Sequence, residues 1–177
     1  MSTLVLAASA ALFWLAQAYA VQAFTVSSAS MLPALRPRDT LLVNRLVYRW
    51  HLPHRGDIIV FYFPRAEGRE FVKRVVGVPG DVVEERGGRL YVNRKLLADE
   101  DEADAGPGMA PAMRLAPQQI PPGQLFVLGD NLDASLDSRY WGTVDIQKVV
   151  GKAFMVGWSR GKHWWDLRWD RIGQWLR

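Results

Sequence analysis

No charged side chain precedes Arg36, and this asymmetry constrains the chain more than any other feature. Within the uncharged segment, Leu4 to Phe24 reads LVLAASAALFWLAQAYAVQAF, interrupted only by Ser9, Gln17 and Gln22. As a helix, these 21 residues would span roughly 30 Å at about 1.5 Å each, the thickness of a bilayer core. Tyr19 and Phe24 suit the interface at one end. The run therefore predicts a retained transmembrane anchor over residues 1–25. Two other readings fit the same residues. A cleaved secretory signal is one: Ala18-Tyr19-Ala20 looks like an A-x-A cleavage site, but a positive n-region is missing. A buried soluble helix is the other. Arg36, Arg38, Arg45 and Arg49 follow the run, and the positive-inside rule alone would put residues 26–177 in the cytoplasm.

Beyond the run the texture is β. Thr40–Tyr48, Asp57–Phe63 and Glu70–Val78 are rich in β-branched and aromatic residues and are separated by Pro53, Arg55-Gly56-Asp57, Pro64 and Pro79-Gly80-Asp81. Val82–Glu85 and Arg89–Asn93 flank Gly87-Gly88 as a hairpin; Gln124–Leu128 and Lys148–Val156 complete the set. Short strands with tight turns predict a mainly β domain, an antiparallel sheet or barrel, rather than a βαβ fold. Asp99–Pro122 is acidic and then rich in Ala, Pro and Gly, which predicts a surface loop. Residues 160–177 hold Trp164, Trp165, Trp169 and Trp175. Trp165, Trp169, Ile172 and Leu176 recur at helical spacing, predicting a helix packed on its own domain or lying at a bilayer surface.

With no cysteine, disulfides and thiolate metal sites are excluded. The net charge of +4 is spread without a basic block, so nothing calls for nucleic acid. His51, His54 and His163 lack metal-ligand spacing, and the acids of 99–104 form a charge run with no paired geometry. Neither a metal nor a cofactor is called for. Ser27-Ser28-Ala29-Ser30-Met31-Leu32-Pro33 sets Ser30 on an irregular segment just past the apolar run, and a serine nucleophile needs a base within hydrogen-bond reach. Lys73, in Phe71-Val72-Lys73-Arg74-Val75, is the candidate. In a strand it shares a face with Phe71 and Val75. If that face is the core, desolvation lowers the lysine pKa and makes a proton acceptor of it; if it is solvent, Lys73 is an ordinary edge lysine.

Ser28-Ala29-Ser30-Met31-Leu32-Pro33, Arg55-Gly56-Asp57-Ile58-Ile59-Val60-Phe61, Lys73-Arg74-Val75-Val76-Gly77-Val78-Pro79-Gly80-Asp81 and Gly129-Asp130-Asn131 through Asp137-Ser138-Arg139-Tyr140-Trp141-Gly142 occur in that order. Together with Tyr91-Val92-Asn93 and Arg168-Trp169-Asp170-Arg171-Ile172-Gly173, this series resembles the ordered boxes of bacterial type I signal peptidases, over almost the whole chain after the apolar run. The resemblance implies a membrane-bound serine endopeptidase removing signal peptides from exported preproteins after small residues, with the catalytic domain on the outer face of the cell membrane. It implies Ser30 as nucleophile and Lys73 as general base, with the Ser30 N–H and the Ser28 hydroxyl as oxyanion hole. Ser135 would orient the lysine, Asp137 and Arg139 would support the site, and Val26 and Val72 would line the pockets for small side chains. Its partners would be preproteins and membrane lipid; the oligomeric state is left open. A specialised serine–lysine peptidase of pilin or conjugation maturation, or an inactive anchored β-domain, would share this outline. Ser27, Ala29, Ala34, Leu132 and Ala134 depart from the usual boxes, and Ala29 bears on the backbone near the oxyanion hole.

Overall fold

Val21–Thr25 opens the fold as an edge strand, β1, in a computed structural model that describes residues 20–66, 68–87, 89–97, 115–163 and 165–176. It pairs antiparallel along its length with β2 (Asp39–Asn44), Val21 opposite Asn44 and Thr25 opposite Thr40. The end of the apolar run is therefore part of the sheet. Its last residues satisfy their backbone groups in a sheet ladder, which the strand offered by Asp39–Asn44 makes available. The anchor expected over residues 1–25 otherwise lies outside the described residues, among which no helix is long and apolar enough to cross a membrane.

The remaining strands are β3 (Ile58–Tyr62), β4 (Glu70–Gly77), β5 (Val82–Arg86), β6 (Arg89–Val92), β7 (Lys95–Leu96), β8 (Gln118–Gln119), β9 (Gln124–Leu128), β10 (Val144–Asp145) and β11 (Val149–Ser159). They form a seven-stranded sheet, β1-β2-β11-β3-β4-β9-β10, and a four-stranded one, β7-β6-β5-β8, with antiparallel pairing throughout. A short helix, α1 (Ser138–Trp141), precedes β10. The architecture is mainly β and antiparallel, as the strand texture implies.

Three apolar clusters hold the sheets together. One unites Val26, Met31, Leu35, Leu41, Ile58, Val60 and Val72 beneath the Ser30 turn. A second joins Ile59, Phe61, Val75, Leu125, Val127 and Trp141; the third lines the smaller sheet with Val83, Leu90, Ile120 and Phe126. The Asp99–Pro122 segment is thus only partly a surface loop, since Ile120 is buried and Gln118–Gln119 pairs with β5. Residues 98–114 lie outside the description.

The expected tail helix is not there. Among the described residues the tail holds only a 3-10 turn, Trp169–Arg171, between bridges that pair Arg160 with Leu167 and Met155 with Trp175. Gly173 (φ 82°) turns the chain back onto β11, with the Val156 N–H bonded to the Gln174 carbonyl at 2.9 Å. Leu176 packs against the first cluster, while Trp165, Trp169 and Trp175 stay exposed. Backbone pairing with a long strand outcompetes four residues at helical spacing.

Candidate active site

Ser30 and Lys73 meet beside β4 of the larger sheet. β4 places Lys73 opposite Ile59 on β3, on the face that carries Phe61, Phe71 and Val75. That face is the core, and Lys73 is only 3% exposed. Ser30, 4% exposed, follows β1 on the turn closed by the Leu35 N–H on the Met31 carbonyl (2.7 Å). Lys73 Nζ donates to Ser30 Oγ at 2.5 Å, and Ser28 Oγ lies 3.1 Å from the same oxygen. Burial lowers the Lys73 ammonium to about 8, against the opposing pull of Asp137 and Asp130, with Arg139 adding to the fall. A substantial fraction of this lysine is neutral at mildly alkaline pH, which is what a proton acceptor requires.

The segment after β9 is fastened to the nucleophile turn. Asn131 donates from its backbone to the Ser30 carbonyl (3.1 Å) and from Nδ2 to the Ala29 carbonyl (3.2 Å). Asp130 takes two 2.8 Å bonds from Arg74, which also donates to the Gly56 carbonyl. Gly129 must be glycine for space: a Cβ there would stand 2.3 Å from both Ser135 Oγ and the Ser30 carbonyl oxygen. Sequence reasoning gave Gly129, Asp130 and Asn131 no role beyond their box, because a close backbone approach leaves no signature in composition.

Asp137 is fully buried and receives the Gly129 N–H (3.2 Å), the Arg139 N–H (3.2 Å) and the Arg139 guanidinium at 2.9 and 3.0 Å. It caps α1 and pins both ends of the 129–139 segment. Ser135 Oγ is buried beside Gly129 and the Ser30 carbonyl, with no hydrogen-bond partner among the described residues. Val26 and Val72 lie together in the cluster under the Ser30 turn. The Ser30 N–H makes no hydrogen bond among the described residues, and Ala29 keeps a negative φ, so alanine there strains nothing. The histidines stay apart: His51 and His54 are exposed, and His163 stacks on Trp165. No group of metal-binding side chains occurs among the described residues.

A buried serine bonded to a lysine of lowered pKa is the arrangement of a serine hydrolase that uses an amine as base. Comparison with known proteins narrows the class. Residues 1–158 match the family model described as signal peptidase, peptidase S26. The probable signal peptidase I-2 of Synechocystis is 39% identical over 145 residues, covering 79% of this chain and 64% of that protein. Signal peptidase I of Bacillus caldolyticus is 37% identical, covering 76% of this chain and 78% of its own length. A solved structure of signal peptidase I from Enterococcus faecalis has 35% identity and a TM-score of 0.45, covering 58% of this chain and 97% of that one. This chain belongs to the signal peptidase family, peptidase S26.

Proposed function

We propose that this protein cleaves signal peptides from exported preproteins at the membrane surface, with Ser30 as nucleophile and Lys73 as general base. The observation that carries the reading is the 2.5 Å Lys73 Nζ–Ser30 Oγ contact between two buried side chains. Neutral Lys73 takes the hydroxyl proton as Ser30 Oγ attacks the scissile carbonyl. The resulting oxyanion is met by the Ser30 N–H and by the Ser28 hydroxyl, each such donor worth about 3 kcal/mol in comparable acyl transfers. The Lys73 ammonium then gives its proton to the departing amine. Water, activated by the same lysine, releases the acyl group from Ser30. Ser135 Oγ, buried without a partner among the described residues, is the hydroxyl available to steady the ammonium as it forms.

Substrate geometry follows from the sheet. Among the described residues β9 pairs with β4 only at Arg74, Val75 and Gly77, which leaves the Glu70–Lys73 edge without a strand partner on that side. An extended preprotein segment can pair there and present its scissile bond to Ser30. Val26 and Val72 form the apolar floor beneath, which favours small residues such as those of A-x-A. Leu4–Ala20 serves as a single membrane span, and the domain faces outward, where cleavage sites emerge, against the arginine count. The exposed Trp165, Trp169 and Trp175 suit the headgroup level.

Membranes containing the protein are expected to cleave an A-x-A preprotein, and Ser30→Ala or Lys73→Ala to reduce cleavage by 10³-fold or more, on the order of the loss when a catalytic nucleophile or base is removed. Cleavage by either variant at the wild-type rate would overturn the assignment.

A further inference from the structure

We propose that Arg171 is a positioning residue that clamps the nucleophile turn from behind, through Asp39 and the Ala34 carbonyl. Asp39 opens β2, is fully buried, and gathers hydrogen bonds from Ser159, Arg36 and Arg171 on its carboxylate. Ser159 Oγ donates at 2.7 Å, the Arg36 N–H at 2.8 Å, and Arg171 at 3.1 Å from Nε and 2.6 Å from Nη2. Arg171, itself 6% exposed, ends the 3-10 turn of the tail, and its Nη2 also donates to the Ala34 carbonyl at 2.8 Å. The tail thereby reaches to within four residues of Ser30.

Neighbouring contacts run the same way. Arg168 donates to the Pro37 carbonyl at 3.2 Å, Arg38 donates to the Gly161 carbonyl at 2.5 Å, and the Arg160 N–H meets the Arg38 carbonyl at 3.3 Å. On its other flank the turn is held at Ala29 and Ser30 by Asn131. Residues 29–39 are therefore fixed at both ends by elements distant in sequence, and Ser30 Oγ is delivered to a lysine that sits on a rigid strand. The carbonyl of Ala34 connects through the Leu35 N–H and the Met31 carbonyl to the residue beside Ser30. The planar guanidinium holds both carboxylate oxygens of Asp39 and that carbonyl at once; a lysine ammonium cannot reproduce the fork.

This inference rests on the peptidase reading, so its test carries a readout independent of cleavage. Arg171→Ala removes one partner of a buried pair and is expected to fold poorly; Arg171→Lys keeps the charge. In the full-length chain in detergent, Arg171→Lys should lower kcat on an A-x-A preprotein by about tenfold with KM within about twofold, since orientation rather than affinity is lost. Loosening the turn lets water reach Lys73, so the midpoint of the kcat–pH profile should move up toward the ordinary lysine value. Titration of the Lys73 ε-carbon by NMR should show the same upward move. Unchanged kcat and an unchanged Lys73 midpoint in Arg171→Lys, whatever its Tm, would overturn the clamp. A wild-type chain that cleaves nothing would overturn the peptidase reading instead, and the Lys73 midpoints of the two proteins would still decide for or against the clamp.

Discussion

Lys73→Met is expected to abolish cleavage and yet to make the protein more stable. The lysine is buried, and its ammonium is lowered from the ordinary value to about 8. Unfolding returns it to water and to a pKa of about 10.4. Between those values the unfolded chain binds more protons than the folded one, so wild-type stability rises with pH across that window. Below pH 8 the full cost is present, about 3 kcal/mol for a shift of this size. Methionine fills a similar volume without the charge. Scanning calorimetry at pH 6.5 should show Tm raised by about 6–12 °C, given 2–4 °C per kcal/mol in a chain of this size. The difference should fade as pH approaches 10. A variant no more stable than the wild type at pH 6.5 would mean that Lys73 is hydrated and cannot be the neutral base.

Asp137→Asn is expected to act in the opposite sense on stability and to move the pH dependence. Asp137 is fully buried and paired with Arg139, whose side chain is 11% exposed. Neutralising one partner leaves the guanidinium uncompensated, at a cost of about 3 kcal/mol. The carboxylate also supports the protonated form of Lys73 while Arg139 opposes it. Without the negative charge the lysine pKa falls further, so the rising limb of the kcat–pH profile shifts to lower pH. Calorimetry and a pH–rate series on one preparation check both effects. A limb that stays in place or moves upward would contradict the electrostatic account.

The sequence carried the strands well, because β-branched runs between Gly and Pro turns leave few alternatives. Gln124–Leu128 is a strand with the bounds its residues suggest, and Asp57–Phe63 loses one residue at each end. Alternation alone could not decide whether Lys73 faces water. That was settled by what lies across from it, Ile59 on β3 with Phe61 and Val75 on the same face, which is information about strand pairing and not about local pattern. The apolar run misled at its end, since Val21–Thr25 suits a strand as well as a membrane and β2 was there to pair it. Trp165, Trp169, Ile172 and Leu176 misled for a related reason: helical spacing over few residues is weak beside ladder bonds to β11. Ser30 and Lys73 were legible as chemistry, whereas Asp39 with Arg171, and Gly129 beneath Ser135, depend on approaches between distant segments.

The titration of Lys73 in the full-length chain tests the central claim most directly. The protein has five lysines, and 13C labelling of their ε-carbons gives few signals, with Lys73 assigned by its disappearance in Lys73→Met. A Lys73 midpoint near 8 is the expected result. A midpoint at the ordinary value of about 10.4 would leave the amine protonated at physiological pH and would contradict its role as the base for Ser30.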